Sequence, residues 1–489
     1  MRRSLAFAVL NFLMGLLLMY FSIDYGVVST LVYLGILLLI YKLLLGIDTR
    51  YCLFAVLGCI WMLISILGHY NAENMPFVSK EAICRGYVST ESVDKFGLPV
   101  YVCEIDEIVF NGMTYNNYKV MLTSKEKQKY SIVGERIEFR AKLGVQEVRD
   151  DGIDYRRYLY GKGIDYRSTC RRIKILKDGG SKFSKARFVI IKAINSKKNL
   201  FLSRISPSAR GYFSGIIFGE KNLISSDVIE EFQDTGTAHI LAVSGLHIGI
   251  IYAIFKGLKT RLKLRNSMDF VLILMLGIYT ILASFSISIR AVIIILLKII
   301  ADKLMMRFDF LTAISIAFLI SLINNPYSIF DVGLQLSFLS ALIIVFIFPH
   351  IRRTRYRKLL EIMALPIGLG AYNIVSFGQF SLIAVLANTP IILLMSIYVP
   401  IGITSFFIYL VSSHYSNIIG ELTYTVNHSF SIFQKGTLEI EYSDGRLVIL
   451  LYAFIFIVSS EYFFVNIVSR HDLKQCFGFI IIGITLFMF

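Results

Sequence analysis

The sequence predicts a polytopic α-helical membrane protein of about 10–12 spans, with an extracytoplasmic β-domain inserted after the third span, for which an OB-like barrel is one candidate. Three observations predict it. Apolar runs long enough to cross a bilayer recur along the chain. The 489 residues are 56% hydrophobic with a mean hydropathy of +0.66, more apolar surface than a soluble domain needs. Residues 70–180 break the pattern with short alternating runs separated by turn residues.

The elements follow in order. Leu5–Phe21, Val27–Leu45 and Cys52–Leu67 read as spans. Met1-Arg2-Arg3 leads straight into the first without a small-residue cleavage site, so it is read as a helix and not a signal peptide. Arg2 and Arg3 precede it, Lys42 and Arg50 flank the next inner turn, and Ser22–Gly26 carries no cation. The positive-inside rule then places the N-terminus in the cytoplasm and residues 70–180 outside. Ala82–Ser89, Val100–Ile108, Tyr118–Leu122 and Arg136–Leu143 read as strands, with turns at Asn111-Gly112 and Asp151-Gly152. Between 181 and 235, the basic stretch Ser181–Arg204, the short run Arg210–Phe218 and the amphipathic Ile224–Phe232 are too polar or too short to span. They read as interfacial helices or as the lining of a cavity.

A second block of spans follows: Ala238–Phe255, Phe270–Phe285, Ile287–Ile300, Leu311–Ile323, Val332–Phe348, Leu360–Phe377 and Leu382–Pro400. Ile401–Val411 is too short alone, and Val448–Val468 and Cys476–Phe489 close the chain. Basic loops at Lys256–Arg265, Lys303–Arg307 and Arg352–Lys358 recur after every second span, and all fall on the cytoplasmic side.

The formal charge of +16 is large for so apolar a chain. It serves topology, an anionic lipid surface or nucleic acid. No Walker A string is present, which excludes that kind of nucleotide hydrolysis. No H-x-H-x-D-H, C-x-x-C or ligand-spaced Cys/His cluster occurs, so no metal, cofactor or catalytic residue is assigned. Of the six cysteines, Cys84, Cys103 and Cys170 fall in the polar segment, where at most one disulfide, with a free thiol left over, is possible and the sequence does not choose the pair.

Polar side chains inside apolar segments are costly unless they pair or face a wet cavity. The richest run is Asp234–Gly249, with His239, Ser244, Gly245 and His247 interrupting a span. Gly245 and Gly249, four apart, permit close helix approach. Ser244 and His247, three apart on a helix face, also admit a hydrolytic pair. Arg290, near the outer end of its span, either snorkels or meets a phosphate. Asp331 and Gln335 share a helix face. Asn388-Thr389-Pro390 marks a helix break. Tyr155, Arg156, Arg157 and Tyr158 form either a surface turn or a contact for a strand through charge and stacking.

Several of these segments, in order, resemble one family. Gly219-Glu220-Lys221 followed by Phe232–Gly249 resembles the central signature of the ComEC competence proteins, the inner-membrane channels of natural transformation. Ser288-Ile289-Arg290-Ala291, Asn325-Pro326 with Asp331–Phe338, and Asn388 near Pro390 resemble later motifs. Asp154–Leu159 with Gly163-Ile164 is similar to the end of that family's external OB-like domain. The resemblance implies passage of single-stranded DNA across the bacterial cytoplasmic membrane, and no enzyme activity in a chain lacking the metallo-β-lactamase-like domain of many members. It divides the chain into N-terminal helices (1–69), an OB-like domain (70–180), interfacial helices (181–235) and a channel domain (236–489). His239, Ser244, Gly245, His247, Arg290, Asp331, Gln335 and Asn388 would line or gate the path, and Tyr155, Arg156, Arg157 and Tyr158 would contact DNA. The partners implied are single-stranded DNA, membrane lipid, a DNA receptor, a separate nuclease, a cytoplasmic translocation ATPase and further copies of the chain. A secondary transporter of a small solute and an intramembrane Ser/His hydrolase are the alternatives the same residues admit.

Overall fold

The computed structural model describes residues 4–25, 52–94, 97–126, 131–145, 155–176, 182–234, 236–241, 243–263, 268–283, 288–351, 357–377, 379–381, 383–411 and 439–441. The spans expected at Val27–Leu45, Val448–Val468 and Cys476–Phe489, and the Asp151-Gly152 turn, lie outside them. The chain divides into two compact units, one of Met1–Tyr70, Asp309–Val385 and Leu438–Phe489, the other of Asn71–Phe308 and Leu386–Thr437.

In chain order the chain forms α1 (Ser4–Tyr25) and α2 (Cys52–Glu73), then β1 (Glu81–Val93), β2 (Pro99–Phe110), β3 (Met113–Tyr115), β4 (Tyr118–Ser124) and β5 (Arg136–Lys142). A short helix α3 (Tyr155–Gly161) precedes β6 (Tyr166–Cys170) and β7 (Lys174–Leu176). Next come α4 (Lys182–Ser203), α5 (Pro207–Phe213) running into a π-helical turn (Ser214–Phe218), α6 (Ser226–Asp234) and a 3-10 turn (Ala238–Leu241). Then follow α7 (Gly245–Arg261), α8 (Met268–Leu282), α9 (Ser288–Lys303), α10 (Phe310–Asn324), a 3-10 turn (Pro326–Phe330), α11 (Val332–Phe346), α12 (Phe348–Ile351) and α13 (Arg357–Phe377). The strand β8 (Gln379–Ser381), the helix α14 (Ile383–Val411) and the strand β9 (Glu439–Glu441) end the described chain.

Among the described residues three helical stretches are long and apolar enough to cross a membrane: Leu5–Ser22, Leu53–Glu73 and Pro390–Tyr409. Four shorter apolar helices lie at Met268–Leu282, Phe310–Asn324, Val332–Phe346 and Leu360–Ile374. In the first unit α1 packs closely on α2. A Cβ at Gly15 would stand 1.9 Å from the Ala55 carbonyl oxygen, and one at Gly58 2.1 Å from that of Phe12. The Cys59 thiol donates to the Gly15 carbonyl at 3.2 Å across the same contact. Small residues let two backbones meet where lipid offers no hydrophobic drive. The opposite stripe of α2, Leu53, Val56, Ile60, Ile64 and Leu67, is exposed, as a face turned to acyl chains would be.

Two sequence expectations fail among the helices. The break expected at Asn388-Thr389-Pro390 does not occur: α14 continues through Pro390 and Pro400, joining Leu382–Pro400 to Ile401–Val411. Proline removes one helical hydrogen bond. The buried row Ile391, Met395, Tyr398, Ile403 and Phe406 supplies packing that carries the helix through it. Close approach at Gly245 and Gly249 is also absent. Among the described residues a Cβ at Gly245 would meet only the Ala291 Cβ at 3.7 Å, and one at Gly249 would meet nothing within 4 Å.

In the second unit the strands pair in the order β6-β4-β2-β1-β5-β7, with β3 on β2. All pairs are antiparallel except β4 with β6. β1 is long because it pairs β2 along one edge and β5 along the other, and register shifts at Arg85/Gly86 and Val88/Thr90 bend it. Gly144 and Arg167 exchange two backbone hydrogen bonds of 2.9 Å, joining the end of β5 to β6 and closing the sheet on itself. Inside lie Phe77, Tyr101, Cys103, Ile108, Val120, Leu122, Ile137 and Tyr166, each at most 2% exposed. Cys84, Cys103 and Cys170 are buried free thiols there, so the one disulfide that three cysteines would allow does not form. Burial pushes the Cys84 thiol up to about 12 and raises Cys103 and Cys170 as well, which leaves all three unreactive. The Tyr166 hydroxyl donates to the Ala72 carbonyl at 2.7 Å and Tyr160 bonds Glu73, fixing the barrel to the end of α2.

Candidate functional site: a capped helix start and a cationic cleft

The Asp234–Gly249 run does not form one interrupted helix. Ala238–Leu241 is a 3-10 turn, Ser244 is extended, and α7 begins at Gly245 with Ser244 as its N-cap. The Ser244 backbone N–H donates to His247 Nδ1 at 3.1 Å, and Ser244 Oγ stands 2.9 Å from the same nitrogen. An Nδ1 that accepts must be unprotonated. His247 is therefore the neutral tautomer, and its Nε2–H donates to the Ile216 carbonyl at 3.1 Å. This is a capping box in which histidine replaces the usual Glu or Gln.

The Ile216 carbonyl belongs to the π-helical turn, which leaves backbone groups out of the ordinary ladder. Tyr279 of α8 donates to the next carbonyl, Ile217, at 2.9 Å. Gly219 ends the turn at φ 75°, and Glu220 after it pairs with Lys198 of α4. Around this turn Phe201, Phe213, Phe218, Tyr398 and Phe406 are all under 2% exposed and meet at ring separations of 5.4–6.0 Å. The Ser244–His247 pair is thus a structural cap. The one lone pair of Nδ1 already takes a backbone N–H, so this nitrogen is no free base for Ser244 Oγ.

The other sequence candidates separate. His239 is exposed on its 3-10 turn. Arg290, the third residue of α9, is 7% exposed, so it does not snorkel out. Asn388 is half-buried on α14, with Oδ1 buried and without a hydrogen-bond partner among the described residues. His239, Ser244, Gly245, His247, Arg290 and Asn388 belong to the second unit, whereas Asp331 and Gln335 belong to the first. There Asp331 caps α11 by accepting the Gly333 N–H at 3.2 Å. Gln335 donates to the Ile329 carbonyl at 2.7 Å and receives the Tyr372 hydroxyl.

A second site lies on the barrel. A cleft of about 460 Å³ runs between the outer face of β1, β2 and β4 and the basic helix α4, bordered by Tyr158, Lys162 and Ile164. Its cations are Lys119, Lys162, Arg187 and Lys198, and its carboxylates are Glu104 and Glu220. Tyr158 is 42% exposed at its rim, its ring 5.4 Å from that of Tyr155 and 5.7 Å from the Lys162 ammonium. Arg167 lies over the Tyr155 ring. Arg156 reaches Glu73 at 3.9 Å, and Arg157 is half-buried. Of the four predicted DNA contacts, Tyr158 is therefore the one that lines the cleft. Sequence reasoning noted that α4 is basic but missed Arg187, Lys198, Lys119 and Lys162, because no local pattern says which strand face a distant helix will cover.

Near the Lys198–Glu220 pair, burial and the Glu220 charge raise the Glu91 carboxyl above the usual carboxylate range, and hydrogen bonds from Ser131 and the Ile132 N–H, with the Lys198 charge, oppose that rise. Burial likewise raises Asp165, against the Lys119 N–H that it accepts at 2.8 Å.

A family model described as "Competence protein" matches residues 216–461. ComE operon protein 3 of Bacillus subtilis (strain 168) is 28% identical over 242 residues, 48% of this chain and 30% of that protein. The chain thus aligns with about 30% of the length of this curated relative. No solved structure matches. The family match begins at the π-helical turn that His247 and Tyr279 hold, includes the capped start of α7, and takes in half of the chain, and on that ground the protein belongs to the competence protein family.

Proposed function

We propose that the protein passes a single strand of DNA across the cytoplasmic membrane during uptake for natural transformation. One observation carries the reading: a competence-type helical region and a closed β-barrel of suitable topology occur in the same chain. An OB-fold is a three-strand meander whose third and fifth strands pair in parallel, with the fourth closing against the first and fifth. Here β1, β2 and β4 take the meander, β6 pairs β4 in parallel, and β5 pairs β1 and bridges to β6. OB-folds bind oligonucleotides on the face of their second and third strands, beside the loops after the first and fourth. The cleft has that position, and α3 with Tyr155–Tyr158 lies in the loop after the fourth.

In this reading the barrel, outside the membrane, receives the strand by phosphate attraction to Lys162 and Arg187 and by stacking on Tyr158. The helices then conduct it. His239, Arg290 and Asn388 are its polar contacts in the second unit, and the Ser244–His247 cap with Gly245 fixes the narrowing of the path. Asp331 and Gln335 shape the corresponding helix start in the first unit. The energy for movement comes from outside the chain. A strain lacking the gene, given labelled DNA, is expected to bind it at the surface and to accumulate none in the cytoplasm. Normal internal label in that strain would overturn the proposal.

A further inference from the structure

Helix α4 carries six cations and no carboxylate, so every counter-charge that holds it comes from elsewhere. Its two ends are held differently. At the inner end Lys198 is 4% exposed and enclosed with Glu220. Nearer the outer end, Phe188 stacks on Tyr87 at 4.5 Å with the rings parallel. Beside that stack, at the cleft, Arg187 makes a fork to Glu104 with arms of 2.9 and 3.2 Å, its side chain 41% exposed. Exposed pairs of this kind are weak and exchange readily.

Glu104 has a second cation in register. Lys119 stands directly across the β2–β4 ladder from it and lines the same cleft. Opposite charges facing each other across a ladder attract. A phosphate presents a guanidinium with the same pair of oxygens as a carboxylate, so replacing one by the other preserves the fork.

We propose that the Arg187–Glu104 pair is a latch that holds α4 over the cleft and that a polyphosphate strand opens. The incoming phosphate takes the Arg187 fork, and Glu104 passes to Lys119. The buried Lys198–Glu220 end stays closed and acts as the pivot. This rests on the single-strand reading of the cleft.

The test uses the full chain in lipid nanodiscs with a fluorescent oligothymidylate, titrated over a range of salt. Glu104→Gln removes the competing carboxylate while keeping an acceptor for Arg187. It is expected to tighten binding roughly threefold or more without changing the salt slope, because the phosphate takes the Arg187 fork in both proteins. Glu138→Gln is the control. It removes the same charge from the same barrel and takes from Arg85 the Glu138 partner at 2.7 Å while Glu107 remains at 3.4 Å, but it does not line the cleft. Glu138→Gln is expected to give a smaller gain. In an Arg187→Gln background Glu104→Gln is expected to give no more than that control. Equal gains from Glu104→Gln and Glu138→Gln, or an undiminished gain without Arg187, would overturn the latch and leave the cleft standing as a strand site. Wild-type protein that does not bind the probe at low salt would overturn both.

Discussion

His247 sits 1% exposed among apolar neighbours, and each ring nitrogen has a defined task. One accepts the Ser244 N–H and the other feeds a carbonyl that the π-helical turn leaves exposed. Replacing it by Ala orphans both groups. The expected cost is about 1–3 kcal/mol, read as a lower melting temperature of the purified chain in detergent. Ser244→Ala is expected to cost less, because the bond to Nδ1 is made by backbone. A larger loss from Ser244→Ala would contradict the cap reading. Glu91 gives a pH-linked expectation. Its carboxyl is raised by burial, so the folded chain holds that proton to higher pH than the unfolded chain. Stability is then present at acid pH and lost as pH rises from the usual carboxylate range through the raised value. Glu91→Gln is expected to stabilise at neutral pH, to change little below the carboxylate range, and to flatten the thermal stability profile between. An unchanged profile would place the titration elsewhere.

At the scale of elements, contacts without side chains set the packing. Gly134, at φ 86°, turns the chain before β5 where a Cβ would lie 2.8 Å from the α4 backbone at Lys192. Any side chain there is strained by the dihedral and by the close approach. Gly134→Ala is expected to lift α4 from the barrel, seen as faster hydrogen exchange of α4 amides and faster proteolysis near it. Protection equal to wild type would show that the close approach at Gly134 does not hold the helix. The α1–α2 contact is of the same kind. Gly58→Leu is expected to unpack that pair while leaving the barrel intact, read as increased alkylation of Cys59.

At the scale of the molecule, the proposed function gives the charge of +16 more than a topological use. The cleft gathers four cations against two carboxylates on a barrel read as lying outside the membrane. If two phosphates meet Lys162 and Arg187, affinity for a single strand is expected to fall about sevenfold between roughly 50 and 200 mM salt. A shallow dependence would mean that stacking, and not charge, holds the strand.

How much was legible follows from the range of each force. Hydrophobic periodicity and turn chemistry act over a few residues. The alternating strands were therefore readable, and so was the Asn111-Gly112 turn, which adopts φ of 50° and 80°. The membrane class followed from composition, and the family from the order of its polar strings. Registers and caps depend on partners far away in sequence. Proline at 390 read as a break because a local rule knows nothing of the aromatic cluster that carries α14 through it. Ser244 and His247 read as one helix face because spacing does not say where a helix begins. The sequence by itself determined that this chain enters a membrane, carries a β-domain and bears competence-type motifs. Only tertiary structure decided that His247 braces a π-helical turn, that three thiols stay reduced in a barrel core, and that a basic helix covers one strand face. Those outcomes are set by which surfaces exclude water together, and that is a property of the folded chain, not of any one stretch of it.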